Sequence, residues 1–199
     1  MIQAEKLMEI ICEKGILRPR DLKAYNLTRP VLMRLVEKGR IKRVGRGLYM
    51  AANSEGMTSH ISYAQAAKRI PNGIICLLSA LAFHEITTQI PFEIWMGLDE
   101  KARKPKIDTF PLRIVRFSKR ALSEGIEEHL IEGIPVKITN PARTVADCFK
   151  YRNKIGLDVA MEALKDGLRE RRFMRDEVWQ YAKLCRVTNV IRPYLEAVS

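Results

Sequence analysis

The sequence predicts an α+β chain. A winged helix-turn-helix at the N-terminus is followed by a larger mixed α+β part with a small sheet and several helices. Three observations predict this. A capped amphipathic pattern from Thr28 runs straight into a Gly-x-Gly hairpin that ends at Met50. Beyond residue 60, apolar and β-branched runs alternate with helical patterns. Charge is uneven: residues 1–53 hold twelve Lys/Arg against five Asp/Glu, net +7 of the total +12, and the longer remainder nets only +5. Such a balance favours polyanionic partners and places the electrostatic footprint in the N-terminal quarter.

Taken in order, Ile2 to Glu13 forms a helical pattern, with Ile2, Leu7, Ile10 and Ile11 as its apolar stripe. Gly15 breaks it, and Ile16-Leu17 can form a short extended connection. A second short helix begins at Arg18-Pro19-Arg20-Asp21-Leu22 and ends near Tyr25-Asn26. Thr28 is placed as an N-cap whose hydroxyl accepts a first-turn amide proton, with Pro30 in the first turn, where a missing N–H does no harm. Val31, Leu32, Leu35 and Val36 recur at helical spacing and mark the buried face. Arg29, Met33, Arg34, Glu37 and Lys38 lie away from it, and Gly39 ends the helix. Ile41 to Val44 and Leu48 to Met50, around Gly45-Arg46-Gly47, read as a hairpin carrying or flanked by Arg40, Lys42, Arg43 and Arg46.

A helix of this kind fits the major groove of B-form DNA, and a basic hairpin beside it can hold neighbouring phosphates. The candidate DNA-binding set is therefore Thr28, Arg29, Met33, Arg34, Lys38, Arg40, Lys42, Arg43 and Arg46. The same segment also suits a winged helix that binds protein and never touches DNA. Residues 1–53 form the predicted DNA-binding domain, Ala51 to Ser59 a small, polar linker, and residues 60–199 a second domain.

In that second part Ile61 to Ile70 reads as a helix stopped by Pro71-Asn72-Gly73. The apolar run Ile74 to Ile86 reads as one buried helix with His84 near its end. Phe92 to Leu98 and Leu112 to Phe117 read as strands, flanking a basic loop at Lys101 to Lys106. Ile126 to Ile131 and Ile134 to Thr139 form a hairpin across Glu132-Gly133. Asn140 caps a helix that opens on Pro141, and helices follow over about 141–151, 157–171, 175–185 and 189–197. Arg143 and Asp147 stand four apart and suit an intrahelical ion pair worth roughly 0.2–0.5 kcal/mol. Arg169, Arg171, Arg172 and Arg175 form a second basic cluster, read as the solvated end of a helix or as a further nucleic-acid contact.

Several function classes find no support in these residues. GxxxxGK[ST], HExxH and GxSxG are missing from the sequence, and no catalytic residue, cofactor or metal is expected. Cys12, Cys76, Cys148 and Cys185 form no CxxC pair and read as reduced, apolar core residues. No apolar run is long enough to cross a bilayer, and the N-terminus lacks a signal-peptide layout. A cytoplasmic, membrane-independent protein is expected.

The order of motifs resembles the AbiEi-type antitoxins of type IV toxin–antitoxin systems, which double as transcriptional regulators. The resemblance is carried by Leu32-Met-Arg-Leu-Val-Glu-Lys-Gly39, Val44-Gly-Arg-Gly-Leu-Tyr49, Leu78-Ser-Ala-Leu81 with His84, and Pro141-Ala-Arg-Thr-Val-Ala-Asp147. It implies a winged helix that binds inverted repeats in its own promoter and represses an operon encoding a nucleotidyltransferase-like toxin. It implies a C-terminal domain that neutralises the toxin without a stable complex and takes part in cooperative promoter binding. It puts Arg29, Met33 and Arg34 near the groove and Arg43 and Arg46 on the wing. Pro30 beside Arg29 is a departure at the helix start. One winged helix covers too little DNA to specify a long site, so two copies per operator are expected. A stand-alone regulator and a protein-interaction module share the same sequence features.

Overall fold

The computed structural model describes residues 2–45, 47–52, 60–105, 107 and 110–198, with Ile2 described by its backbone only. The chain forms two compact units, Met1–Pro71 with His129–Val136, and Asn72–Glu128 with Lys137–Ser199. The linker predicted at residues 51–59 falls for the most part outside the described residues, although Ala51 closes a strand.

In the first unit, α1 (Ile2–Lys14) buries Leu7, Ile10 and Ile11. Cys12 is exposed, which corrects its placement in the core: it shares the solvent side of α1 with Glu9 and Glu13. Gly15, at φ +67, turns the chain into Ile16-Leu17, and Leu17 exchanges backbone hydrogen bonds with Tyr49 at 2.9 and 3.0 Å. The expected second helix is a five-residue 3-10 turn, Asp21–Tyr25, ended by Asn26 in the left-handed region. It is too short to settle into an α-helix, and the Asp21 carboxylate fastens its start by accepting the Arg18 N–H at 3.0 Å.

Helix α2 (Arg29–Glu37) buries Leu32 and Leu35. Thr28 has the extended backbone of an N-cap, but its side chain makes no capping hydrogen bond. The donors explain this. Pro30 removes one of the two N–H groups that such a cap serves, and the other, on Val31, goes to the Thr28 carbonyl at 3.2 Å. At the far end Gly39, at φ +67, donates to Val36 while Arg40 donates to Leu35, both at 2.9 Å. β1 (Ile41–Gly45) and β2 (Leu48–Ala51) then pair antiparallel, with an irregularity between Arg43 and Gly45. Helix, short strand, turn, helix and hairpin follow in the order of a winged helix-turn-helix. α3 (Ile61–Arg69) belongs to the same unit and reaches Asp21 through Lys68 at 3.2 Å.

The second unit holds most of a five-stranded sheet. β3 is Ile74–Ile75, β4 Ile94–Asp99, β5 Leu112–Phe117, β6 Ile126–Ile131 and β7 Ile134–Thr139. Their order is β5-β4-β3-β7-β6. β4 runs parallel to β5 and antiparallel to β3, and β3 runs parallel to β7. The outer part of the β6–β7 hairpin groups with the first unit, where a Cβ on Gly133 would meet the Lys14 carbonyl at 2.7 Å.

The run Ile74 to Ile86 is not one helix. Ile74-Ile75 forms the middle strand, and the chain turns at Leu77, φ 50, into α4 (Leu77–Phe83). A short unbroken apolar run suits a buried strand as well as a buried helix, and the β-branched pair after Gly73 decides for the strand. Phe92 precedes β4 and is 89% exposed, so that strand begins later than predicted.

α5 (Pro141–Lys150) opens as expected, the Asn140 side chain accepting the Arg143 N–H at 2.8 Å. α6 (Arg152–Ile155), α7 (Leu157–Arg169), α8 (Arg175–Cys185) and α9 (Thr188–Ala197) follow. Val145 and Phe149, Ala160 and Leu164, Val178 and Ala182, and Ile191 form the core with Val115 and Phe117. The pair on α5 needs a larger role than the surface value read from its spacing. Arg143 and Asp147 are both fully buried, with Arg143 Nε donating to Asp147 Oδ2 at 3.0 Å. Arg143 Nη1 donates to the Glu124 carbonyl at 2.7 Å and Nη2 to that of Ala121 at 3.3 Å. Cys185 Sγ lies 3.1 Å from Asp147 Oδ1. Burial raises the Asp147 carboxyl against the pull of Arg143 and also pushes the Cys76, Cys148 and Cys185 thiols up.

Removing one member of a buried pair leaves the other charge uncompensated. Arg143→Ala is therefore expected to cost about 3–5 kcal/mol of stability. Asn140→Ala, a lost cap three residues away, should cost only about 1 kcal/mol. Urea unfolding of the two variants side by side measures the difference.

Candidate nucleic-acid interface

The helix α2 presents its short, charged outer face because Leu32 and Leu35 anchor the opposite one. Arg29, Arg34, Lys38 and Arg40 are exposed, as are Thr28 and Arg43, while Met33 and Lys42 are half-buried. Among the described residues none of Arg29, Arg34, Lys38 or Arg40 enters an ion pair or a side-chain hydrogen bond. Their charges are thus available to a partner. Glu37 shares the outer face of α2 with Met33 and Arg34. The predicted set lacks Glu37, although a carboxylate there can accept from a cytosine amino group.

The wing differs in detail. Lys42 Nζ lies 3.5 Å from the Ala52 carbonyl, and Arg43 Nε donates to the Gly45 carbonyl at 3.1 Å across the irregularity in β1. That bond holds the start of the Arg43 guanidinium near the tip. Arg46 lies outside the described residues.

A further basic group in the same unit escaped the sequence reading. Lys68, at the end of α3, bridges to Asp21, which stands three residues after Arg18. Arg18 is half-buried; burial and the nearby Arg20 and Arg69 lower its guanidinium against the opposing pull of Asp21. The basic last turn of α3 was visible in sequence, but its return to the 3-10 turn is a tertiary event with no local signal.

The second arginine cluster is largely engaged within its own unit. Arg169 pairs with Asp166 at 2.9 Å, Arg172 lies 3.4 Å from Glu170 and 3.7 Å from Glu85, and Arg175 Nη2 donates to the Val198 carbonyl at 2.6 Å. These contacts favour the structural reading of that cluster over a nucleic-acid contact. The motif residues of the C-terminal part are likewise turned inward. Ser79 Oγ accepts the Trp95 N–H at 2.9 Å, and His84 Nε2 meets the Thr139 carbonyl at 2.7 Å. Among the described residues no group of three or more His, Cys, Asp or Glu is placed to hold a metal ion. No helix among them is long and apolar enough to cross a membrane.

Residues 5–52 match the family model described as "Transcriptional regulator, AbiEi antitoxin". The family resemblance drawn from the motifs is borne out over that segment, which is the winged helix-turn-helix, and it supports the general role of an antitoxin-type regulator. No curated protein matches the chain. Among solved structures the chain is similar to the crystal structure of the RV2827C protein from Mycobacterium tuberculosis, with a TM-score of 0.57 at 13% identity. That likeness covers 100% of this chain and 80% of the other, and at such identity it concerns the fold alone.

Because Arg34 is exposed and enters no ion pair or side-chain hydrogen bond among the described residues, Arg34→Ala should leave stability within about 0.5 kcal/mol of the parent. A thermal or urea unfolding curve that falls clearly below this range would show that the side chain has a structural task instead.

Proposed function

We propose that this protein is a non-enzymatic, sequence-specific DNA-binding repressor of the antitoxin type. The observation that carries the reading is the set of exposed cations Arg29, Arg34, Lys38 and Arg40 on and just after α2, free of ion pairs among the described residues and beside the basic hairpin, inside the segment that matches the regulator family. Arg29, Arg34 and Met33 face base edges in the major groove, with Thr28 at the helix entry. Lys38, Arg40, Lys42, Arg43 and Arg46 hold phosphates on either side. Two copies bind a repeated site in the promoter of its own gene, and a nucleotidyltransferase-like toxin encoded beside it is the functional partner, neutralised without a stable complex. The protein acts in the cytoplasm.

A second reading, a winged helix that serves as a protein-interaction module, is supported by Glu37, an acid at the last residue of α2 on the face that would meet DNA. The two readings separate in one titration. Fluorescence anisotropy of the full chain against duplex DNA from upstream of its gene, with a scrambled duplex as control, should show a preference of about a hundredfold or more. Equal, salt-sensitive binding to both duplexes would favour the interaction module.

Within the same assay, Arg34→Ala should cost about 1–3 kcal/mol on the native duplex and relax specificity at one position. Arg43→Ala should weaken binding to both duplexes alike and reduce the salt slope by about one unit.

A further inference from the structure

The second unit contains a concave pocket of about 730 Å3 that the repressor reading does not use. It opens where the parallel strands β4 and β5 end, at Asp99–Lys101 and Ser118–Arg120, and is closed by the last turns of α5 and α8. In open α/β sheets ligands bind beyond the carboxyl ends of parallel strands, and this pocket takes the same position relative to the parallel pair β4 and β5. The rim is tied down: Arg116 Nη1 donates to the carbonyls of Asp99 and Ala102 at 2.9 and 2.7 Å, and the Glu100 N–H reaches the Phe117 carbonyl at 3.2 Å.

Six cationic side chains line the pocket against two carboxylates. Of the carboxylates, Asp99 accepts the Lys101 N–H at 2.7 Å and Glu100 is exposed. Arg120 pairs with Glu124, outside the lining. The other five cations, Lys101, Lys119, Lys150, Lys183 and Arg186, take part in no ion pair among the described residues. Lys150 and Lys183 have an ordinary explanation, since each stands in the last turn of a helix, where a cation complements the dipole. Lys101 and Lys119 have none. Arg186 has still less, because it occupies a left-handed helix end, φ 58, where glycine is the unstrained choice. Like charges gathered around a concavity repel one another until an anion enters.

We propose that this pocket binds the phosphate chain of a small phosphorylated ligand of nucleotide size. A volume of about 730 Å3 lies in the range of small-molecule sites, whereas a contact to a DNA backbone phosphate needs no concavity. Lys119, just after β5, and Lys183, in the last turn of α8, grip the phosphates.

The test is calorimetric titration of the full chain with inorganic tripolyphosphate and, separately, with ATP, at near-physiological salt. Three proteins are compared: the parent, the double variant Lys119→Ala/Lys183→Ala, and a charge-matched control, Lys6→Ala/Arg171→Ala. The expected result is one saturable site whose affinity falls at least about tenfold in the pocket variant and stays within about twofold in the control. Urea unfolding confirms that both variants are folded. The proposal is overturned by non-saturable binding to the parent or by equal losses in both variants, which would mean general charge. It is also overturned if neither probe binds the parent; a fall in duplex DNA affinity in the pocket variant would then make the groove a nucleic-acid backbone contact. The repressor reading is judged separately, by the preference of the parent protein for the native over the scrambled duplex.

Discussion

A guanidinium and a carboxylate with no access to water set the terms for the second unit. Removing an ion from water costs several kcal/mol even after relaxation, so each must find a full set of partners. Arg143 does so by reaching three parts of the chain at once: Asp147 on its own helix, and the carbonyls of Ala121 and Glu124 in the turn that follows β5. Its guanidinium also stacks over Phe117, 5.3 Å from the ring centroid. Asp147 closes the set through Cys185 on α8. An apolar pair of similar volume would match the burial but would not dictate which carbonyls face the helix. The ion pair thereby fixes the rotation of α5 against the sheet. Neighbouring polar links continue the pattern, with the Thr139 carbonyl shared by His84 and Thr144.

The first unit follows another rule. Its core is plain aliphatic packing of Leu7, Ile11, Leu32 and Ile41, and the cations along α2 are left outside. A long Arg or Lys side chain held by an internal carboxylate must break that contact before it can meet a phosphate. Among the described residues Arg29, Arg34, Lys38 and Arg40 have no such contact to break, whereas Arg169 and Arg172 do. Net charge alone would not separate the two clusters. Their local partners do.

Much of this was readable from short-range signals. The boundaries of α2 and its glycine stop, the β6–β7 hairpin and the Asn140 cap rest on residues adjacent in the chain, and they stand where pattern and capping chemistry place them. Features that depend on distant partners were not legible. The spacing of Arg143 and Asp147 announced an ion pair but not its burial, because depth depends on how α7, α8 and the sheet surround α5. The helix read across Ile74 to Ile86 failed for a related reason, since apolar residues carry no period when every face is covered. Thr28 shows a third kind of failure, in which a residue suited to capping is denied a donor by its neighbour Pro30. At the candidate interface the exposed arginines were legible, whereas the approach of Lys68 and Arg18 to Asp21 was not.

The two-residue strand β3 has a consequence for the order in which the chain assembles. Among the described residues Ile74 and Ile75 alone bridge β4 on one side and β7 on the other, and β7 lies far along the sequence. The β6–β7 hairpin can close early because its strands are adjacent, but the centre of the sheet waits for a long loop to shut. Two residues give little hydrogen bonding in return for that closure. The sheet should therefore be completed late, after α5 and α8 have packed, and its middle should be the step that limits the folding rate.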